Sequence, residues 1–353
     1  IKDVEILKTE FGRVTNKAIK SLLAKAYIWN KDWANALKYS EEVIAESPDI
    51  TNVKYQDIFK IDNEQNSEII FSIQFVNGIT QEDYNRGGEG SERSTYQNVR
   101  MLKFKYSGES NTEFLGERGY GFNTPTEDLV SKFDKKSDTE YDPRLDMIVS
   151  GKDSLWWDFS FTHPKSYPNA KLVKCQIVFP SGQTGYSCRK GALEYDEFSA
   201  SKQQSSGLDY PLIRLADIYL FAAEAAFNLG EKEKAANYVN KVRERARNSH
   251  RKEIGFRQFK SLPPSQYPED VAAGQLTLDI IYLERRKELF CEGHRFFDLA
   301  RTGRAANLIN RNKEKDGFGV PINFKEGVNE VFPIPLRQIS RHTGGNLIQN
   351  PGY

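Results

Sequence analysis

Residues 211–246, PLIRLADIYLFAAEAAFNLGEKEKAANYVNKVRERA, decide the fold. Pro211 suits a first helical turn, Leu229-Gly230 supplies a turn with a C-cap glycine, and Ala235-Ala236 open a second amphipathic run. This spacing predicts a helical hairpin over 211–247. A second hairpin is read over 15–47, TNKAIKSLLAKAYIWNKDWANALKYSEEVIAES. There Ala18, Leu22, Ala26 and Trp29 recur at helical spacing and the turn falls at Asn30-Lys31-Asp32. Trp33, Ala36, Leu37 and Val43 line the next helix, which Pro48 ends.

Small residues at the crossing, with aromatics around them, give both hairpins a likeness to the tetratricopeptide repeat. They lie roughly 160 residues apart, however, whereas such an array has a period of about 34. A plain tandem solenoid is therefore excluded. The segment between them, 50–205, has another texture. It opens with EIIFSIQFV (68–76), in which Ile69, Phe71, Ile73 and Phe75 alternate as in a half-buried strand. Thr124-Pro125-Thr126-Glu127 reads as a capping box starting a short helix through Phe133. An aperiodic region of this size inside a folded chain is usually functional, and its aromatic content argues against disorder.

Composition sets the outer limits. The 353 residues carry 50 Lys+Arg against 49 Asp+Glu, so no net field draws the chain to nucleic acid or to an acidic membrane surface. Three cysteines make no disulfide framework; Cys175 and Cys188 could bridge a loop, and Cys291 falls in a helical pattern as a buried apolar residue. The opening, IKDVEILKTEFGR, has neither an initiator Met nor a signal-peptide core, which fits a processed chain or a fragment.

The stretch ELFCEGHRFFDLARTGR (288–304) gathers Glu288, Cys291, Glu292, His294 and Asp298 and so invites a metal or catalytic reading. Read as one helix over 276–301, it places Glu292 and His294 two residues apart on different faces, with no E-x-x-H or H-E-x-x-H. Glu284, Glu288 and Glu292 instead form a ladder, with Arg285, Arg286 and Arg295 placed to neutralise it. Gly293 implies close approach by another element. Elsewhere the acidic pairs Asp134/Asp138 and Asp153/Asp158 have the composition of a glycosidase site, but such pairs are common on surfaces. Carboxylates and carbonyls of 134–146 could hold a structural calcium, and no other cofactor is indicated. Gly119-Tyr120-Gly121 reads as a tight turn.

The stronger functional signal is aromatic. Trp156 and Trp157 are adjacent in DSLWWDFSFTHPKSYPN (153–169); on an extended chain they point to opposite faces, so at least one is available for contact. Aromatic faces stack on the C–H-rich face of a sugar ring while neighbouring polar groups fix its hydroxyls. Tyr84, Arg86 and Tyr96 around the Gly-rich NRGGEGSERSTY, and Tyr120 with Asn123, share that composition.

Four blocks in order resemble the SusD/RagB family: GRVTNKAIKSLLAKAYIW, YPLIRLADIYLFAAEAAFNLG, LERRKELFCEGHRFFDLARTG, and FPIPLRQIS with LIQNPGY. The resemblance implies one mostly α SusD-like domain over 1–353. Its tetratricopeptide-like hairpins are the scaffold, and 50–205 is a long irregular, loop-rich excursion with short strands that faces the ligand. The helix at 276–301 and a C-terminal strap at 331–353 complete it. It further implies a surface lipoprotein of the outer membrane, not an enzyme, that binds a glycan and serves a SusC-like TonB-dependent transporter. Family members carry a further upstream portion that supplies part of the ligand site. Alternatives are a peptide-binding lid for the same transporter type and a tetratricopeptide-like scaffold for a protein partner.

Overall fold

The structure, a computed structural model, describes residues 13–75, 101–107, 113–117, 123–137, 139–150, 171–179, 184–191, 207–252, 259–260, 263–311, 320–345 and 347–353. Internal packing divides the chain into Ile1–Glu292 and Gly293–Tyr353.

In the first unit, α1 (Asn16–Trp29) and α2 (Trp33–Ala45) form the N-terminal hairpin. Thr15 caps α1 by accepting the Ala18 N–H, and Asp32 caps α2 through the Asn35 N–H. The buried face of α1 is Ala18, Ser21, Ala24 and Ile28, whereas Leu22 and Trp29 are 47% and 45% exposed. Helical spacing thus identifies the helix but not its inner face, because close packing of helices favours the small side chains.

The second hairpin begins differently from its sequence reading. Pro211 belongs to strand β7 (Tyr210–Arg214), which pairs antiparallel with β1 (Ile69–Ile73), and helix α4 (Leu215–Asn228) starts only afterwards. The turn to α5 (Lys232–Arg247) uses Gly230 at φ +85°. Every residue of α4 from Leu215 to Ala226 is buried. A helix enclosed on all sides is apolar nearly all round; its buried Asp217 is met by Arg285 and its Glu224 by the Tyr282 hydroxyl, and its run of alanines lets α2, α5 and α6 (Leu278–Glu288) come close. The first core, with Ile28, Leu37, Val43, Val239 and Val242, surrounds it.

Between the hairpins lie α3 (Glu127–Val130) and the strands β2 (Met101–Ser107), β3 (Glu113–Glu117), β4 (Ile148–Ser150), β5 (Lys171–Phe179) and β6 (Tyr186–Cys188). β2 runs antiparallel between β3 and β5, and β4 pairs with β6, Ile148 opposite Cys188. The α3 N-cap is Thr126, which accepts the Leu129 N–H, so Thr124-Glu127 is not the capping box and the helix ends before Phe133. A second core joins Tyr55, Ile58 and Phe59 to Leu129, Phe133, Met147, Ile148, Cys188 and Phe290. A short ladder, β8 (Arg251–Lys252) with β9 (Phe259–Lys260), follows α5.

The expected helix over 276–301 is two. α6 stops at Glu288, and Cys291 at φ +60° and Gly293 at φ +82° turn the chain before α7 (Arg295–Arg301). The second unit holds α7, α8 (Ala305–Arg311) and α9 (Leu336–Arg341), with Leu299, Ala305 and Phe324 as its core. The last of these helices interrupts the C-terminal strap that the sequence suggests. Among the described residues no helix is long and apolar enough to cross a membrane.

Candidate functional site

Of the seven residues proposed from sequence to contact a ligand, Tyr84, Arg86, Tyr96, Tyr120, Trp156 and Trp157 lie outside the described residues. Asn123 is described. It is exposed, adopts φ +54°, and meets Cys291 in both directions: its Nδ2 donates to the Cys291 carbonyl at 3.3 Å, and the Cys291 thiol donates to its carbonyl at 3.2 Å. The turn after α6 therefore fixes the backbone at the point where the candidate ligand segment rejoins the described chain.

That same turn is the centre of a buried ionic cluster. The last carbonyls of any helix lack intrahelical partners and carry partial negative charge. Here the Glu288 carbonyl accepts from Tyr55 Oη at 2.8 Å, Lys190 Nζ at 2.9 Å and Arg214 Nη2 at 2.8 Å. Lys190 also donates to the Phe290 carbonyl at 2.8 Å and to Glu292 Oε1 at 2.6 Å, with its ammonium 3.8 Å from the Phe290 ring centroid. All three protons of a buried ammonium thus have acceptors.

The carboxylates of this region are shared in the same way. Glu288 pairs with Arg214 at 2.6 Å, Arg144 at 3.1 Å and also Arg245. Glu68, just before β1, bridges Arg214 at 2.7 Å and Arg245 at 3.0 Å. Glu284 takes Arg144 at 2.6 Å and Arg243 at 2.8 Å, and Glu292 takes Arg214 Nε at 2.7 Å. Asp142 completes the set by holding Arg144 at 2.7 Å. Carboxylates and cations balance, which is the condition for burying them.

Burial pushes the Glu288 carboxyl up, but Arg245, Arg214, Arg144 and Lys190 outweigh it and hold the group far below the usual carboxylate range. Glu284 shows the same contest: burial against Arg144, Arg243 and Lys287, with the cations bringing it down to about 2. Burial prevails at Lys190, whose pKa is lowered despite Glu292. With its charges balanced and shared, the cluster has the chemistry of an anchor. It joins Arg214, Arg243, Arg245 and α6, all scaffold, to Asp142, Arg144 and Lys190, which lie within 50–205.

Arginines do neutralise the glutamate ladder, as its spacing suggests, but two of the three that spacing assigns, Arg285 and Arg286, pair elsewhere. Arg285 pairs with Asp217 at 2.7 Å and Arg286 with Asp128, while the ladder's cations come from residues 144, 190, 214, 243 and 245. A spacing rule sees only neighbours in sequence, and these partners are distant. One signal stands in the sequence: Arg214 is a lone cation in the apolar run PLIRLADIYL, where burial requires an acid. Of the acidic segment 134–146, Asp142 is committed to Arg144, Asp134 pairs with Lys287 at 2.8 Å, and Asp146 accepts from Tyr141 Oη at 2.8 Å. Among the described residues no group of three or more His, Cys, Asp or Glu side chains is gathered as for a metal ion. The partners of the two acidic pairs, Asp138, Asp153 and Asp158, lie outside those residues.

The fold matches solved structures closely in extent. A surface glycan-binding protein A from Bacteroides thetaiotaomicron, in complex with laminarihexaose, superposes with a TM-score of 0.65 at 22% identity, covering 97% of this chain and 65% of its own. A laminarin-binding SusD-like protein gives 0.63 at 24% identity, with 97% and 64% covered. In sequence, SusD-like protein P25 of Formosa agariphila is 26% identical over 347 residues, 93% of this chain and 57% of the relative. A SusD-like protein of Bacteroides ovatus is 26% identical over 313 residues, 83% of this chain and 46% of the relative. The chain thus spans about half the length of these curated relatives. The model of the SusD family matches residues 67–353, and the chain, mostly α in fold, belongs to the SusD family.

Proposed function

We propose that this chain captures a glycan at the cell surface, without turning it over, and delivers it to a SusC-like TonB-dependent transporter of the outer membrane. The supporting observation is the likeness of nearly the whole chain to SusD-like proteins, one of them solved with laminarihexaose. In this reading the chain is one lipid-anchored, surface-exposed domain whose 50–205 segment faces the ligand. Trp156, Trp157, Tyr84, Tyr96 and Tyr120 supply stacking faces, and Arg86 and Asn123 supply polar contacts.

Calorimetry with laminarin oligosaccharides beside a panel of other glycans tests this directly. Saturable binding is expected, weakened about tenfold or more, some 1.4 kcal/mol or above, in the Trp156→Ala/Trp157→Ala variant. Unchanged affinity in that variant removes the two tryptophans from the platform. Binding of a peptide library in place of every glycan contradicts the cargo.

A further inference from the structure

In sequence, residues 76–206 lie between the end of β1 and the lead-in to β7. The last strand pair on that side is Ile73 opposite Tyr210. Beyond it, one side chain ties the two segments together. Asp209 Oδ1 accepts the Phe75 N–H at 2.9 Å and Oδ2 accepts the Ser72 hydroxyl at 3.3 Å. The Asp209 N–H in turn donates to Glu64 Oε1 at 2.6 Å. Glu64 thus holds the backbone of the residue whose carboxylate holds the end of β1.

Both line a cavity of about 10 Å³, the room of a single water, walled by Ile58, Phe59, Ile69 and Leu208. Lys190 and Asp209 are the charged residues that line it with Glu64. The Lys190 ammonium is already engaged by Glu292 and by two carbonyls, so it does not offset a second carboxylate here. Burial, with the Asp209 charge adding to it against the N–H that Glu64 accepts, pushes the Glu64 carboxyl up to about 7. Burial raises Asp209 as well.

We propose that Glu64 and Asp209 form a proton-binding clasp that holds the end of β1 against the lead-in to β7 more firmly in mildly acidic than in mildly alkaline solution. Below neutrality Glu64 carries a proton, and its carbonyl oxygen still accepts the Asp209 N–H without placing a second charge in the cavity. Above neutrality two carboxylates share this small, largely apolar space, and the tie loosens. The clasp stands on these residues alone, and it bears on ligand capture only through the glycan reading above.

Nuclear magnetic resonance of the whole chain tests it without any ligand. The Asp209 backbone amide shift, followed from pH 5.5 to 8.5, is expected to titrate with a midpoint near 7 in the parent and to be flat in Glu64→Gln. Hydrogen-exchange protection at Phe75 and Asp209, corrected for intrinsic rates, is expected to fall about tenfold or more over that range in the parent only, as one pKa unit of linkage implies. A flat parent profile, or an unaltered midpoint in Glu64→Gln, overturns the clasp. Should Glu64→Gln not fold, the parent titration and Asp209→Asn, in which the Glu64 midpoint must drop, decide it. Glycan affinity at pH 5.5 and 8.5 is then a separate readout: absence of all binding sinks the glycan reading and leaves the clasp standing.

Discussion

Two buried regions of the first unit are built on opposite principles. Around α4 the packing is alanine, leucine, isoleucine and valine, contributed by both hairpins and by α6. Around the end of α6 it is glutamate, arginine and lysine, drawn from residues 68 to 292. The apolar interior gains free energy with every group removed from water and tolerates some slippage of its parts. The ionic interior gains little net stability over a well-packed apolar one, because desolvating the charges costs about what their attraction returns. What it does provide is specific partners: the Arg144 guanidinium has planar, directional donors and each proton of the Lys190 ammonium has its own acceptor, so residues 142–144 and 190 are tied to the scaffold at defined points.

The largest expected contrast comes from removing one partner. Glu288→Ala leaves Arg144, Arg214 and Arg245 facing an uncompensated charge and is expected to destabilise by about 3–5 kcal/mol in urea unfolding. A loss under about 1 kcal/mol contradicts a tightly coupled cluster. Acid is the milder version of the same perturbation. The folded-state pKa of Glu284, about 2, lies below its ordinary 4.5, so its stabilisation is fully present above 4.5 and is lost as pH falls from there towards 2. Stability is expected to decline across that window by on the order of 3 kcal/mol. Glu64 acts with the opposite sign, contributing fully below 4.5 and losing its contribution as pH rises through about 7. In the apolar interior, Ile218→Val removes one buried methylene and is expected to cost only about 0.5–1.5 kcal/mol, with no new pH dependence. A pH-dependent effect there merges the two interiors and breaks the contrast.

The same contrast explains what the sequence disclosed. The hairpins were legible because their caps, turns and apolar spacing are local, as Asp32, Gly230 and the alanines of α4 show. The inner face of α1 was not, since Leu22 and Trp29 satisfy the spacing as well as Ala24 and Ile28 do. The break at Glu288 was hidden for a different reason. The left-handed turn is set by Cys291 and Gly293, and a cysteine at positive φ has no composition signal. For the proposed site, composition points to the aromatic segment but not to the buried charges within 50–205 that pair with α6. Asp142, Arg144 and Lys190 acquire meaning only beside α6, which sequence distance conceals.

If the ionic cluster fixes part of the 50–205 segment to the scaffold instead of stabilising the whole unit evenly, removing one of its cations acts locally. Hydrogen exchange on Lys190→Met against the parent tests it most directly, since methionine keeps the bulk and removes the three donors. The account predicts a loss of protection at 184–191, 141–148 and 289–292, with 18–45 and 216–246 unchanged. An even loss across both hairpins, or none at 184–191, contradicts it.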